Sequence, residues 1–231
     1  MKIIAIIPAR YGSKRLLAKP LINIKNKPLV QLTYEAVLGS QLFDNIFIAT
    51  ESEEIQRLVS KFGGTCIMTS KDCENGTERC AELVDKIDID HNDLIINIQC
   101  DEPFIQKQHL ENLIALFKEN IEIGTLLSLI KDNDIKNPSI VKATKQVDNN
   151  VIDFSRTKSN LDTGIQLYKH IGVYGYRKKT LMKIAVLKKT NRETIEELEQ
   201  LRWIENNYKI YAALIVEDLV SINTKNDIKN L

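Results

Sequence analysis

The sequence predicts an α/β protein in which a mostly parallel central sheet lies between two helical layers, followed by a smaller, more antiparallel section. In the first half of the chain, short runs rich in isoleucine alternate with amphipathic segments. Such runs are typical of buried parallel strands joined by crossover helices. From about residue 138, strand-like segments follow one another with few helices between them, which favours antiparallel pairing.

The individual elements follow from local patterns. The first half contains predicted strands at 2–8, 45–51, 65–70, 93–99 and 124–130, and predicted helices at 28–41, 51–62, 77–87 and 106–119. Thr50 and Glu53 have the spacing of a capping box for the second helix. The second part contains predicted strands at 139–145, 151–156, 168–177 and 208–216, a turn at 148–150, a polar surface loop at 157–165 and a helix at 191–206.

Length and composition describe an ordinary folded domain. The chain has 231 residues, of which 43% are hydrophobic and 27% charged, and its formal net charge is +1. This near balance gives no electrostatic reason to expect nucleic acid as a partner. The apolar start is too short for a signal peptide, and no apolar run approaches the roughly 18–20 residues of a membrane span. The four cysteines contain no CxxC pair, so we expect free thiols, a cytoplasmic location and no membrane insertion.

A basic segment, ARYGSKRLLAK at 9–19, follows the first predicted strand. Open α/β sheets bind ligands where parallel strands end, so this segment is a candidate phosphate site. The side chains that can donate to phosphate oxygens are Arg10, Ser13, Lys14, Arg15 and Lys19. It is not a Walker A loop, because the second glycine and the lysine of that motif would fall on Leu17 and Ala18. The alternative interpretation is a solvated basic loop.

Two acids, Asp101 and Glu102, follow the predicted strand 93–99. They therefore lie at the same edge of the sheet as the basic segment. Mg²⁺ is commonly held by one or two carboxylates together with substrate phosphates, so the pair is a candidate metal site. The alternative is a cap or turn ahead of Pro103.

Three further patterns are compatible with a binding cleft. Thr77, after Gly76 at a predicted helix start, can cap the helix or bind a ligand, and Arg79 can face a cleft or pair with Glu82. The strand 168–177 places one aromatic and imidazole face together, suited to a sugar or simply to packing: Tyr168, His170, Gly172, Tyr174 and Tyr176. Glu199 and Gln200 are helical neighbours about 100° apart, so both reach one substrate only if their helix lies along the cleft; otherwise they form a solvated face.

Taken in order, several segments resemble the 3-deoxy-manno-octulosonate cytidylyltransferase (CMP-Kdo synthetase) family over essentially the full chain. They are IIPARYGSKRLLAKPL, MTSKDCENGTER, NIQCDEP, DFSR, KHIGVYGYR, LEQLR and SINTKNDI. The resemblance implies a Rossmann-like nucleotidyltransferase, with residues 1–231 as a single domain. Within it, about 1–135 would bind CTP, about 136–210 would bind the sugar and form a dimer surface, and 211–231 would return to the core.

The resemblance also implies an activity and a set of site residues. The anomeric hydroxyl of an eight-carbon keto-deoxy sugar acid would attack the α-phosphorus of CTP, with Mg²⁺, giving a CMP-sugar for lipopolysaccharide or a capsule. Catalytic roles fall on Arg10, Lys19 and Asp101, and the CTP-binding residues would be Arg10, Ser13, Lys19, Thr77, Arg79 and Gln99. The sugar acid would contact Arg156, His170, Tyr174, Glu199 and Gln200. Metal ligands would be Asp101 and Asn223, and the family implies a homodimer.

Three departures from the family pattern concern the chemistry. The family's LPGKPL is here Leu-Leu-Ala-Lys-Pro-Leu at 16–21, which removes a proline and a glycine. Cys100 stands where a glycine usually precedes the metal aspartate, and Asn223 replaces an aspartate that is a second metal ligand. An amide oxygen lacks the negative charge that a hard cation prefers. Asp218 and Asp227 are candidates to compensate, although Asp227 matches a different position of the motif.

Two alternatives to CMP-Kdo synthesis remain at this point. One is a CMP-activating synthetase for another keto-deoxy sugar acid, of the 8-amino-Kdo or sialic-acid type. The other is a catalytically weakened nucleotide-binding paralogue, for which Asn223 and the altered basic loop are the support.

Overall fold

The structure is a computed structural model that describes residues 1–12, 16–157, 164–217 and 219–229. Within these residues the strands are β1 (Ile3–Pro8), β2 (Asn23–Ile24), β3 (Lys27–Pro28), β4 (Asn45–Thr50), β5 (Thr65–Met68), β6 (Leu94–Ile98), β7 (Ile123–Leu129), β8 (Lys142–Lys145), β9 (Val151–Ser155), β10 (Tyr168–Arg177) and β11 (Tyr211–Ile215). The helices are α1 (Leu29–Ser40), α2 (Glu53–Lys61), α3 (Gly76–Asp85), α4 (Lys107–Ala115), α5 (Asp132–Ile135), α6 (Lys178–Ile184), α7 (Asn191–Glu196), α8 (Gln200–Glu205) and α9 (Lys225–Lys229). No helix among them is long and apolar enough to cross a membrane.

The main sheet has the strand order β11-β7-β10-β6-β1-β4-β5. The pairs β6–β1, β1–β4, β4–β5 and β11–β7 are parallel, whereas β10 is antiparallel to both β6 and β7. Strands β8 and β9 form an antiparallel hairpin attached to β10. The predicted fold class, mostly parallel with a smaller antiparallel section, is confirmed.

Two apolar cores lie on opposite faces of the sheet, which makes the fold three-layered. In β1 the side chains alternate, so that Ala5 and Ile7 join one core while Ile4 and Ile6 join the other. Helices α1, α2 and α4 cover the first core, and α3, α6 and α8 cover the second. Both faces of β1 are therefore buried, which explains why its sequence is a continuous apolar run and does not alternate with polar residues.

Two local predictions need correction. Helix α2 is capped by Ser52, whose hydroxyl accepts from the Ile55 amide at 3.4 Å, and not by Thr50. The hydroxyl of Thr50 accepts instead from the Ser52 amide at 3.2 Å. The predicted helix 191–206 is two short helices, α7 and α8, separated by a bend whose consequences for the site are described below. The predicted turn at 148–150 is confirmed, with Asn149 at φ 68° between β8 and β9.

Ala18 lies in the left-handed region of backbone space, with φ 53° and ψ 31°, just before the 3₁₀ turn Lys19–Leu21. The Cβ atom makes this conformation cost an L-residue about 1–2 kcal/mol, whereas glycine tolerates it. The departure from the family's glycine therefore falls on a position where a glycine relieves strain.

We expect Ala18→Gly to raise the free energy of unfolding by up to about 1 kcal/mol. The relieved Cβ strain exceeds the about 0.5–1 kcal/mol of extra chain entropy that glycine brings to the unfolded state. Urea denaturation measures the change. Ala36→Gly, inside α1, is the control and should destabilise by about 1 kcal/mol. Equal losses in the two variants would show that Ala18 is not strained.

Candidate active site

A cavity of about 830 Å³ lies at the carboxyl ends of β1 and β6, beside the start of α3. A neighbouring cavity of about 750 Å³ shares part of its wall and adds Lys19. The predicted site residues that line the larger cavity are Arg10, Arg79, Gln99, Asp101, Arg156, His170, Tyr174, Glu199, Gln200 and Asn223. Thr77 is absent from the described lining, and Ser13 lies outside the described residues. Residues from distant parts of the chain thus meet at one sheet edge.

Lys19 and Asp101 form an ion pair in this region. The Lys19 Nζ atom donates to Asp101 Oδ2 at 2.6 Å, and the two side chains are 13% and 19% exposed. An ammonium group is a compact charge that phosphate oxygens can attract away from a carboxylate. The pair therefore holds the predicted phosphate-binding cation and the predicted metal-binding carboxylate in contact.

The amino terminus of α3 also faces the cavity. Asn75 caps this ten-residue helix, its Oδ1 accepting from the Glu78 amide at 2.8 Å, and Asn75 and Gly76 both line the cavity. A Cβ atom at Gly76 would lie 2.9 Å from Gln99 Nε2, so a larger residue here would displace the Gln99 side chain from the helix start. The positive end of the helix dipole favours an anion here.

Arg79 lines the cavity, and its guanidinium is held by residues that do not line it. Its guanidinium pairs with Glu51 at 3.1 Å and donates to Thr69 Oγ1 at 2.5 Å and to the Ser70 carbonyl at 3.2 Å. The suggested partner Glu82 instead accepts from the Ser70 amide. Glu51 also accepts from the Tyr11 amide at 2.7 Å, so one carboxylate ties Arg79 to the basic segment.

The bend between α7 and α8 brings Glu199 and Gln200 to the cavity together. Glu197 has a left-handed backbone, with φ 51°, and Glu199 precedes the first residue of α8. Arg156 Nε donates to the Glu196 carbonyl at 2.8 Å, and its Nη2 donates to the Glu197 carbonyl at 3.4 Å. In a continuous helix these carbonyls would accept from backbone amides of the same helix. The sequence of 191–206 gives no sign that the Arg156 side chain competes with those amides.

Three buried polar atoms on the cavity wall have no hydrogen-bond partner within the described parts of the chain. They are Tyr174 Oη, Glu199 Oε2 and Gln200 Nε2, on side chains that line the cavity. A buried polar group left without a partner costs about 1–3 kcal/mol. These atoms therefore form a ready set of donors and acceptors for the hydroxyl groups of a bound ligand.

Glu199 links the start of α8 to α3 beside the cavity. Its Oε1 accepts from the Thr77 hydroxyl at 2.9 Å, so Thr77 positions Glu199 and does not itself reach the cavity wall. Burial raises the pKa of Glu199 from 4.5 to about 7, and the Thr77 bond opposes that rise.

The raised pKa of Glu199 predicts a loss of stability as pH rises. The folded protein holds a proton that the unfolded chain releases near pH 4.5, so the free energy of unfolding should fall between about pH 4.5 and 7. We expect Glu199→Gln to reduce this fall, as measured by urea denaturation at several pH values. Glu197→Gln, at an exposed neighbour, is the control. Parallel pH profiles for the parent and Glu199→Gln would contradict the prediction.

His170 contributes a neutral imidazole. Its Nε2 lies 3.2 Å from Thr125 Oγ1, and the ring packs between Phe154 and Tyr174 at centroid distances of 4.9 and 5.3 Å. Burial, helped by the nearby charge of Arg156, lowers the pKa of His170 to about 3. At neutral pH the ring therefore offers a hydrogen bond and a packing surface without adding charge.

Arg156 is anchored by a second cation that sequence reasoning missed. Lys142 is fully buried, and its ammonium donates to the carbonyls of Asn137, Ile140 and Arg156 at 2.5, 2.8 and 2.8 Å. Arg156 Nη1 in turn donates to the Pro138 carbonyl at 3.2 Å. A lysine directly after the apolar pair Ile140-Val141, at the start of β8, was the available signal.

The segment 221–224 brings Asn223 to the same wall as Asp101. The Ile222 amide donates to the Asp101 carbonyl at 2.8 Å. Asp227 Oδ2 accepts from the amides of Asn223 and Thr224 at 2.8 and 2.7 Å, so this carboxylate holds the loop. Asp218, the other suggested substitute, lies outside the described residues.

Oxygen donors suited to a hard cation are present, although few. Asp101, Glu102 and Asn223 line the cavity, and Glu102 Oε2 has no hydrogen-bond partner in the described chain. Burial, followed by the charge of Asp101, raises the pKa of Glu102 to about 8. No group of three or more His, Cys, Asp or Glu side chains arranged for a metal ion occurs in the described residues. A divalent ion therefore fits only with ligands that a bound substrate supplies.

Sequence reasoning missed Glu51 as well as Lys142. Glu51 immediately follows β4, so the same rule that pointed to Asp101 after β6 would have found it. The structure supplies its partner, Arg79, which the sequence left undecided.

A cleft at the carboxyl edge of a mostly parallel sheet, with a cation, a carboxylate and a helix amino terminus, defines a nucleotide-binding α/β protein. The model of the family described as cytidylyltransferase matches residues 4–210. The chain belongs to the cytidylyltransferase family.

Individual relatives are similar over nearly the whole chain. The chain is 41% identical to 3-deoxy-manno-octulosonate cytidylyltransferase of Thermodesulfovibrio yellowstonii, covering 99% of this chain and 96% of the relative. It is 35% identical to 8-amino-3,8-dideoxy-manno-octulosonate cytidylyltransferase of Shewanella baltica, with 99% and 96% covered. A solved structure of CMP:2-keto-3-deoxy-manno-octonic acid synthetase complexed with CTP has a TM-score of 0.91 and 31% identity, covering 100% of this chain and 96% of that one. The family resemblance read from the motifs is confirmed.

Proposed function

We propose that this protein transfers CMP from CTP to 3-deoxy-D-manno-octulosonate (Kdo), releasing diphosphate. The observation that carries the proposal is the composition of the cavity wall. The Lys19–Asp101 pair and the α3 amino terminus suit a triphosphate. Facing them are unpartnered polar atoms of Tyr174, Glu199 and Gln200, which suit sugar hydroxyls. The similarity to relatives named for this activity supports the same assignment.

The reaction is an in-line displacement at phosphorus. The anomeric hydroxyl oxygen forms a bond to the α-phosphorus of CTP, the bond from that phosphorus to the bridging oxygen breaks, and diphosphate leaves with those electrons. The hydroxyl proton is released to water. Such a step depends on alignment and on charge stabilisation more than on covalent catalysis.

Each group of residues has a distinct task in this proposal. Arg10 and Lys19 neutralise the triphosphate, with Ser13 as a further donor, while Gln99 and Arg79 border the nucleotide. Arg156, held by Lys142, pairs with the sugar carboxylate in the bidentate manner typical of arginine. The sugar hydroxyls are bound by His170, Tyr174, Glu199 and Gln200.

The proposal includes a divalent cation, Mg²⁺. Asp101 and Asn223 would hold it together with phosphate oxygens of CTP. When bound, the ion would neutralise charge that develops on the phosphates.

Asn223→Asp restores a negatively charged ligand, and we expect it to lower the Mg²⁺ concentration for half-maximal activity by about tenfold or more. Diphosphate release measured over a Mg²⁺ titration checks this. Asn120→Asp adds the same charge at an exposed position away from the cavity and is the control. A titration curve for Asn223→Asp that overlays the parent would show that Asn223 is not at the metal site.

The proposal also includes a homodimer in the cytoplasm. Exposed apolar side chains gather along β7 and β11: Leu129 is 68% exposed, Leu214 45% and Val216 99%. Apolar side chains exposed together commonly mark an interface. A light-scattering mass of twice 26.4 kDa would support the dimer. The four cysteines are free, as suits a reducing compartment.

An 8-amino sugar acid is the second candidate substrate, favoured by the 35% identity to the Shewanella baltica relative. Diphosphate release from CTP with a panel of keto-deoxy acids distinguishes the candidates. The proposal expects the highest kcat/KM with Kdo. A preference for the 8-amino acid or for a nine-carbon acid would change the substrate. Absence of release with every acid at any Mg²⁺ concentration would favour a nucleotide-binding paralogue.

A further inference from the structure

Glu102 is a buried carboxyl group with one unused oxygen. Its side chain is 4% exposed, and its Oε1 accepts from the Ser221 hydroxyl at 2.5 Å. Its Oε2 has no hydrogen-bond partner among the residues that the structure describes. A buried polar atom without a hydrogen-bond partner costs free energy, so such an atom on a cavity wall is a candidate contact for a ligand.

The carboxyl-terminal segment 221–223 brings this group next to Asn223. Ile222 is fully buried in the core, whereas Ser221 and Asn223 both line the cavity. The two cavity-facing side chains are therefore neighbours on one face, about 7 Å apart along an extended chain. Glu102 contacts the first of them, and Asp101 accepts from the Ile222 amide between them.

Without Glu102, the two predicted metal ligands on this wall would offer a cation no net negative charge. Asp101 is neutralised by Lys19 at 2.6 Å, and Asn223 carries no charge. A hard cation would then meet a pair of protein ligands with no net negative charge. Glu102 is adjacent in sequence to Asp101 and lines the same cavity, whereas Asp227, which also lines it, accepts from the amides of Asn223 and Thr224.

We propose that Glu102 is a ligand of the divalent cation and supplies the negative charge that Asn223 does not. The assignment rests on the proposed function, because the cation is the one that enters with CTP. Glu102 Oε2 binds the ion while Oε1 keeps the Ser221 hydrogen bond.

A double-mutant cycle with Mn²⁺ as the probe tests the assignment. The parent, Glu102→Gln, Asn223→Asp and the double variant are titrated with Mn²⁺ in saturating CTP, and free Mn²⁺ is read by electron paramagnetic resonance. We expect Glu102→Gln to weaken Mn²⁺ binding about tenfold or more in the parent, and by much less in the Asn223→Asp background, where the new carboxylate supplies the charge. Glu102→Asp keeps the charge and should retain most of the binding.

Ser221→Ala is the control for a purely structural role. It removes the hydrogen bond to Glu102 without removing the carboxylate, so it should change Mn²⁺ affinity far less than Glu102→Gln does. Thermal denaturation identifies any variant that fails to fold, and Glu102→Asp then replaces Glu102→Gln, with the expectation of a smaller loss that Asn223→Asp again reduces.

The possible results separate the two levels of the proposal. Unchanged Mn²⁺ affinity in Glu102→Gln would overturn the assignment alone, and so would an equal loss in both backgrounds that Ser221→Ala reproduces. No CTP-dependent Mn²⁺ binding by either the parent or Asn223→Asp would overturn the metal-dependent function, and the assignment with it.

Discussion

Lys19→Ala should lower kcat/KM for CTP by about 10²–10³-fold, the typical effect of removing one preorganised charge that faces the reacting phosphates. The variant loses a cation at the cavity and also leaves Asp101 without its partner at 2.6 Å. The KM for the sugar acid should change little, because the proposed function assigns Lys19 to the phosphates of CTP and not to the sugar acid. Steady-state diphosphate release with each substrate varied in turn provides the measurement.

Lys27→Ala is the matched control for this experiment. Lys27 also forms a 2.6 Å ion pair, with Glu35, but its side chain is 47% exposed and lies away from the cavity. We expect its kinetics to equal those of the parent. If Lys19→Ala behaves in the same way as Lys27→Ala, the basic segment does not bind the phosphates of CTP.

The second large effect is on stability. Arg202→Met should lower the free energy of unfolding by about 3–5 kcal/mol, because it leaves the carboxylate of Glu193 buried without its partner. Arg202 donates to both carboxylate oxygens of Glu193, at 2.6 and 2.5 Å, and the side chains are 5% and 4% exposed. The pair joins α7 to α8 across the bend that carries Glu199. Urea denaturation at pH 7 measures the loss.

A more exposed ion pair, between α7 and β9, separates the effect of burial from that of charge. Arg192 binds both oxygens of Asp153 at 2.8 Å, but its side chain is 43% exposed. Arg192→Met should therefore cost no more than about 1 kcal/mol. Replacing the buried pair together, as Glu193→Leu with Arg202→Met, should recover much of the loss. Similar losses in Arg192→Met and Arg202→Met would contradict this account.

Much of the fold could be predicted because local patterns and tertiary structure agree. The isoleucine-rich runs are buried on both faces of the sheet. Because they alternate with amphipathic segments, parallel strands joined by crossover helices could be predicted for the first half. The edge of the sheet that holds Lys19 and Asp101 followed from the same reasoning. The bend at Glu197 could not be predicted, because the apolar spacing across 191–206 is helical and the competing donor, Arg156, lies 41 residues away in sequence.

The hydrogen-bond and ion-pair partners of individual side chains in the site also could not be predicted from the sequence. Thr77 and Arg79 are close in sequence, yet one meets Glu199 and the other Glu51. Their partners depend on which elements the sheet order places side by side. At Ala18 the backbone agrees with the sequence comparison, because the position where the family has glycine does have a left-handed backbone. The strain on the alanine was visible only in the structure.

The reversed strand β10 has a consequence for how the chain acquires its structure. It occupies the position between β6 and β7, so the sheet remains in two pieces until residues 168–177 are inserted. A fragment ending near residue 135 would expose the unpaired edges of both strands, each buried in the complete protein. Residues 1–135 therefore cannot complete their part of the sheet before β10 is in place. Pairings between such distant segments also predict slow, cooperative folding, in which both halves of the cleft form in one event.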